Sequence, residues 1–192
     1  AGWLASFLWG FPLHAIVVVV CWAVLTARLH LDGVADSCDG LFSWRSRQRQ
    51  LEIMKDSRIG TMGALGLIVV LLLKIGALLS LGEAWWLGAV LAPVWGRWAD
   101  IYGIFWFPVA SADGLARTFR QQVRHSDFAL ATLFSLGVSL ALNFPWGGVV
   151  LLVIGPVIHL CARAMVRTLG GLTGDMYGAL CELGEVLTLL FL

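Results

Sequence analysis

Long stretches of this sequence carry almost no charged residues. No charge precedes Arg28, and residues 128–162 contain none. Residues 59–82 contain only Lys74. A helix needs roughly 20 mostly apolar residues to cross about 30 Å of hydrocarbon. These stretches therefore predict helices that span a membrane.

The composition supports the same conclusion. Of the 192 residues, 59% are apolar and only 13% are charged, whereas a soluble domain carries about a quarter charged residues. The formal net charge of +1 excludes a nucleic-acid partner bound by bulk positive charge and also excludes an acidic disordered tail. We expect the lipid bilayer, and no nucleic acid, as the surroundings of this chain.

The fold class that we predict is all-α, a polytopic membrane helical bundle that forms a single domain over residues 1–192. Asn143 to Gly148 contain Pro and two Gly, so we divide the last long charge-free stretch there into a helical hairpin. Apolar residues 1–9 resemble the remnant of a further helix, and we expect the natural chain to begin earlier. The six predicted spans are residues 12–28, 59–81, 84–107, 128–143, 147–165 and 177–192.

Along the chain, connections that carry Lys and Arg alternate with connections that carry none. Residues 29–58 hold five Lys and Arg, residues 108–127 hold three and residues 163–176 hold two, while the turns near Gly82 and Pro145 hold none. Lys and Arg concentrate in short cytoplasmic loops of membrane proteins. We therefore expect the three basic connections, which also carry most of the acids, to share the cytoplasmic face.

Three aspartates follow the first predicted span. Asp32, Asp36 and Asp39 stand at i, i+4 and i+7 and would form one stripe if the first helix continues through them. Three carboxylates in one stripe repel one another unless a cation lies among them. Oxygen ligands favour Mg²⁺, with Mn²⁺ as a substitute, over zinc. The alternative is a solvated acidic helix end.

A second polar segment leads into the span at 59–81. Lys55, Ser57 and Arg58 offer a point charge, a hydroxyl and a planar fork, a combination suited to phosphate, and Asp56 offers a fourth carboxylate. The alternative is that the two basic residues only anchor lipid headgroups.

Several charges lie inside predicted spans. An unpaired charge there costs at least a few kcal/mol, so each should have a partner or face a polar cavity. These residues are Lys74, Arg97, Asp100 and Glu182. Asp175 and Glu182 are seven residues apart in the last helix and could face one pocket. A structural ion pair, with Lys74 or Arg97 as the partner of Glu182, explains these residues as well as catalysis does. Asp100 has no explanation at this level.

Three blocks of this sequence together resemble the signature blocks of the cobalamin synthase family. They are His-Leu-Asp-Gly-Val-Ala-Asp at 30–36 with Asp39-Gly40, Glu-Ile-Met-Lys-Asp-Ser-Arg-Ile-Gly-Thr at 52–61, and Gly-Gly-Leu-Thr-Gly-Asp at 170–175 with Glu182-Leu183. The blocks occur in the family's order and are spread over most of the chain. Ser111 and Ala116 differ from the expected Arg and Gly, so no role is carried over to them.

The resemblance implies an adenosylcobinamide-GDP ribazoletransferase of the prokaryotic cytoplasmic (inner) membrane. Such an enzyme joins adenosylcobinamide-GDP to α-ribazole or its 5'-phosphate, releases GMP and requires Mg²⁺. Association of the chain with copies of itself or with other late cobalamin enzymes stays an open partner hypothesis. The expected metal ligands and catalytic carboxylates are Asp32, Asp36, Asp39 and Asp56, with Asp36 or Asp39 as general base, and the expected substrate contacts are Lys55, Ser57, Arg58, Lys74, Arg97, Asp175 and Glu182.

Two alternative functions remain open from the sequence. Enzymes that join CDP-alcohols to lipid acceptors also use several Asp at a membrane surface, but their pattern has an Ala-Arg pair where this chain has Ala35-Asp36. A transporter would explain charges inside the spans, but transporters usually show inverted repeats around a midplane site. Most acids of this chain lie in connections instead.

Overall fold

A computed structural model of the protein describes residues 13–110 and 115–192. The apolar segment 1–9 and Ser111 lie outside the described residues. Within them the chain is helical, with two short 3₁₀ turns and one isolated bridge. The helices are α1 (Leu13–Leu25), α2 (Leu29–Leu41), α3 (Arg47–Ile53), α4 (Thr61–Ser80), α5 (Trp85–Trp106), α6 (Leu115–Gln122), α7 (His125–Leu142), α8 (Val150–Leu169) and α9 (Gly174–Phe191).

Three helical stretches in the described part of the chain are long and apolar enough to cross a membrane. They are Thr61–Ser80, His125–Leu142 and Trp146–Leu169. The pair α1 and α2 passes the same test together, but the two helices are bent by 89°. The all-helical membrane bundle is therefore supported, and the count of six spans stays a prediction.

The first predicted span does not continue straight into the acidic segment. Ala27 and Arg28 have positive φ values of 48° and 63°, the left-handed region that L-residues rarely adopt. These two residues end the helical path of α1, and α2 begins in a new direction at Leu29. The three aspartates therefore lie on a separate helix, and α2 keeps the helical spacing that places them in one stripe.

Helix α9 lies at the centre of the packing, against α5 on one side and α2 on another. Its Leu180 and Met176 are fully buried, as are Trp95 on α5 and Ile154 on α8. Close approach of α2 requires glycine, because a Cβ at Gly33 would clash with the backbone carbonyl oxygen of Asp175. The acidic stripe is thereby held against the start of α9.

The three basic connections meet at one end of the bundle. Arg47 donates from Nε to the carbonyl oxygen of Leu169 at 2.6 Å and from Nη2 to that of Ala110 at 3.0 Å. The backbone N–H of Ala110 also donates to the Leu172 carbonyl at 2.9 Å. This junction agrees with the common face that the distribution of basic residues predicts.

The glycine pair that follows α8 is part of this junction. Gly170 has a φ of 74° and ends α8, which is the usual role of glycine after a helix. A Cβ at Gly171 would clash with the backbone of Val109. The pair therefore fixes where α9 begins.

Candidate active site

The aspartates of α2 lie where this helix packs against the start of α9. Asp32 is exposed, whereas Asp36 and Asp39 are half-buried. The carboxylate of Asp36 lies within electrostatic range of Asp175, Asp32 and Asp39, and Asp175 lies within range of Asp32. The structure thus adds Asp175 to the acidic stripe through tertiary packing.

Asp39 caps a neighbouring helix. Its Oδ2 accepts a hydrogen bond from the N–H of Gly60 at 2.7 Å, and its Oδ1 accepts one from the N–H of Gly63 at 2.8 Å. Both groups belong to the N-terminus of α4, where unpaired backbone N–H groups and the helix dipole favour a carboxylate. This contact gives Asp39 a structural role that needs no metal.

Asp56 forms an exposed ion pair with Arg58. The Arg58 Nη2 donates to Oδ2 of Asp56 at 2.8 Å and the Arg58 Nε donates to Oδ1 at 3.1 Å. These hydrogen bonds lower the pKa of the Asp56 carboxyl to about 2. The Asp56 carboxylate is therefore already paired with the guanidinium of Arg58. Lys55 and Ser57 beside the pair are exposed.

The carboxylates that the sequence predicts as metal ligands differ in what they contact. Among residues 13–110 and 115–192, no three His, Cys, Asp or Glu side chains come together closely enough to hold a metal ion. Asp39 and Asp56 are engaged as described, and Asp175 is hydrogen-bonded by Thr173 at the start of its own helix. The metal-ligand set of the sequence analysis stays a prediction.

Lys74 and Glu182 are not brought to the aspartates. Lys74 is 2% exposed, and its Nζ donates to Oε2 of Glu182 and to Oε2 of Glu185, each at 2.5 Å. The Lys74 ammonium also lies 5.5 Å from the ring centroid of Trp22. This burial and pairing favour the structural ion pair over substrate binding for Lys74 and Glu182.

Arg97 joins the same network from α5. Its Nη1 lies 3.4 Å from Oε1 of Glu185 and contacts the Sγ of Cys181. Its ion-pair partner is thus Glu185 and not Glu182. The sequence analysis missed Glu185, although its position three residues after Glu182 places it on the same face of a helix.

A cavity of about 400 Å³ lies beside Asp175, between α2, α5, α6 and α9. Asp100 and Tyr177 line it together with Asp175. The sequence analysis left Asp100 unexplained and did not select Tyr177. Neither residue belongs to a recognisable local pattern, so only the packing of the helices connects them with the aspartates.

Comparison with known proteins identifies the family. The model of the family described as cobalamin-5-phosphate synthase matches residues 1–192.

The chain belongs to this family.

Several curated relatives carry the name adenosylcobinamide-GDP ribazoletransferase. The relative from Roseiflexus sp. (strain RS-1) is 53% identical over 188 residues, which are 98% of this chain and 70% of the relative. The relative from Herpetosiphon aurantiacus is 52% identical over 185 residues, 96% of this chain and 74% of the relative. The relative from Desulforamulus reducens is 41% identical, over 92% of this chain and 79% of its own length. No solved structure matches.

The family resemblance is therefore confirmed. The fold brings together its three blocks, which are far apart in the sequence. The first block contacts the third where Gly33 meets Asp175. It contacts the second where Asp39 binds the N–H of Gly60. The blocks of this cobalamin-5-phosphate synthase family member thus meet around α2.

Proposed function

We propose that this chain is an adenosylcobinamide-GDP ribazoletransferase, which joins adenosylcobinamide-GDP to α-ribazole or its 5'-phosphate and releases GMP. The observation that carries the proposal is the position of Asp36, a half-buried carboxylate within electrostatic range of Asp32 and Asp175. The names of the relatives support the same reaction. Carboxylates from two separate family blocks are thus available at one place.

The proposed reaction is a substitution at phosphorus. A ribose hydroxyl of the acceptor forms a new bond to the phosphorus that carries cobinamide, the pyrophosphate P–O bond breaks, and GMP leaves with its electron pair. The hydroxyl proton passes to a carboxylate. We assign Asp36 this role, because both oxygens of Asp39, the other candidate, already accept backbone hydrogen bonds.

We further propose that Asp36, together with Asp32 or Asp175, holds Mg²⁺ with the help of the substrate's phosphates, with Mn²⁺ as a substitute. Mg²⁺ sites that act on phosphates usually use one or two carboxylates together with the substrate's own phosphates, so a complete protein cage is not required. When bound, the ion neutralises charge that develops on the transferred phosphoryl group. Lys55, Ser57 and Arg58 remain candidates for phosphate contacts on the exposed connection before α4, and Arg97 remains one on α5.

The reaction itself is the direct test of the function. Purified protein should release GMP from adenosylcobinamide-GDP only when α-ribazole or its phosphate is present, and chelation should stop release until Mg²⁺ is added. Liquid chromatography of the nucleotides measures this. A protein that instead releases CMP from a CDP-alcohol with a lipid acceptor would contradict the proposal, as would one that only transports its ligand.

We propose that the enzyme lies in the prokaryotic inner membrane with the junction around Arg47 facing the cytoplasm. In a Cys-free background, single Cys probes at exposed Ser46 and Gln121 should react with an impermeant thiol reagent only from the cytoplasmic side. Probes at exposed Glu83 and Trp146, in the turns without Lys or Arg, should react from the opposite side. Labelling of Ser46 and Gln121 probes from different sides would contradict this orientation.

A further inference from the structure

The cavity beside Asp175 is lined by both apolar and polar residues. Leu29, Ile104 and Phe119 contribute apolar surface, and Phe119 is 45% exposed. His30, Asp100, Asp175 and Tyr177 contribute polar groups. Its volume of about 400 Å³ lies in the range of roughly 300–1,000 Å³ that is typical of small-molecule sites.

Two polar atoms at this cavity are buried without a partner in the described part of the chain. They are the hydroxyl oxygen of Tyr177 and Nδ1 of His30. Tyr177 is only 3% exposed, so bulk water does not substitute for the missing partner. Because an unsatisfied buried polar group costs about 1–3 kcal/mol, such groups are normally paired. Because both atoms are covered in this structure, a ligand would pair them only if the two side chains turned toward the cavity on binding.

Asp100 adds a carboxylate to the polar lining of the cavity. Among the described residues it has no ion pair or hydrogen bond within contact distance, although Arg97 and Tyr177 lie within its electrostatic range. A half-buried carboxylate without a protein partner accepts hydrogen bonds, and a ligand that carries hydroxyl groups supplies the donors. Binding of such a ligand would give a role to Asp100, which the sequence analysis leaves unexplained.

Asp175 connects the cavity with the reacting carboxylates. It lines the cavity and lies within electrostatic range of Asp36 and Asp32. On the α2 side, His30 lines the cavity and stands two residues before Asp32. A ligand in the cavity would therefore reach the aspartates with one end.

We propose that this cavity binds the acceptor nucleoside, α-ribazole, in the reaction proposed above, on which this inference rests. The planar aromatic base lies between Ile104 and Phe119. The ribose hydroxyls and the ring nitrogen pair with Asp100, Tyr177 and His30, and the attacking hydroxyl faces Asp175. An aromatic, hydroxyl-rich and uncharged nucleoside matches this mixed lining better than the other substrate does. The corrinoid is too large for the cavity, and the GDP group is too highly charged for a lining with two carboxylates.

Steady-state kinetics with each substrate varied in turn test this assignment. Tyr177→Phe removes one hydroxyl and should raise the KM for α-ribazole about tenfold, the equivalent of one hydrogen bond. Phe119→Ala, at an exposed position that spares the fold, should raise it by about tenfold or more through lost stacking. In both variants the KM for adenosylcobinamide-GDP and the kcat at saturating α-ribazole should stay at the wild-type values.

Tyr102→Phe is the matched control. The hydroxyl of Tyr102 on α5 is within 2.9 Å of His159 Nδ1, so the same chemical change is made outside the cavity. This variant should keep the wild-type KM for α-ribazole, even if it unfolds at a lower temperature.

Calorimetric binding of α-ribazole to the unreacted protein separates the two proposals. Weaker binding by Tyr177→Phe and Phe119→Ala, but not by Tyr102→Phe, supports the cavity assignment independently of turnover. If the wild type releases GMP and both cavity variants bind α-ribazole as the wild type does, the cavity is not the acceptor site and the proposed function stands. If α-ribazole neither binds nor supports GMP release, both proposals fail.

Discussion

Asp36→Asn is expected to lower the rate of GMP release by about two or more powers of ten, because it removes both the proposed proton acceptor and a proposed metal ligand. The unfolding temperature in detergent should stay near that of the wild type. Asp36 accepts no hydrogen bond from the described residues in this structure, and loss of its charge relieves repulsion from Asp32 and Asp175. Turnover measured against Mg²⁺ concentration, together with thermal unfolding, checks the prediction.

Asp39→Asn should give the opposite pattern. An Asn side chain offers one oxygen acceptor, so either Gly60 or Gly63 loses its hydrogen bond at the start of α4. A buried donor without a partner costs about 1–3 kcal/mol, and we expect a loss of stability of that size with a smaller effect on rate. Glu83→Gln, at the other end of α4, controls for the loss of an acidic charge. Equal rates for Asp36→Asn and wild type would show that the stripe is only a solvated helix end.

Lys74→Gln is expected to destabilise the protein by about 3–5 kcal/mol, the usual cost of leaving a buried charge uncompensated. The substitution leaves Glu182 and Glu185 next to each other, with Arg97 as the remaining cation of the network. Thermal and denaturant unfolding in detergent measure the effect. If Lys74 instead binds phosphate, the variant should keep its stability and lose affinity for adenosylcobinamide-GDP.

The only other lysine of the chain supplies the control. Lys55 is exposed, so Lys55→Gln should change the free energy of unfolding by less than about 0.5 kcal/mol. The double variant Lys74→Gln with Glu182→Gln removes one charge of each sign and should recover part of the stability lost in Lys74→Gln. If the double variant is no more stable than Lys74→Gln, Glu185 is the main partner of Lys74.

The acidic stripe shows which features of the candidate site can be predicted from local sequence. The spacing of Asp32, Asp36 and Asp39 predicts one face of a helix, and α2 shows that spacing. The same pattern predicts three equivalent metal ligands, whereas the structure assigns the oxygens of Asp39 to the N-terminus of α4. The difference arises because spacing predicts which face of a helix a residue lies on, but not which neighbouring helix contacts that face.

From the sequence alone we predicted the all-helical class, the long apolar helices, the common end of the basic connections and the family. These features depend on local quantities, namely the length of apolar segments, the distribution of Lys and Arg, and motif residues. The sequence left the partner of Glu182 open between Lys74 and Arg97, and the structure shows that it is Lys74, 108 residues away. The structure also shows that Asp100 and Tyr177 line a cavity beside Asp175. Such partners depend on which helix faces pack together, and many different helix arrangements bury the same apolar surface equally well.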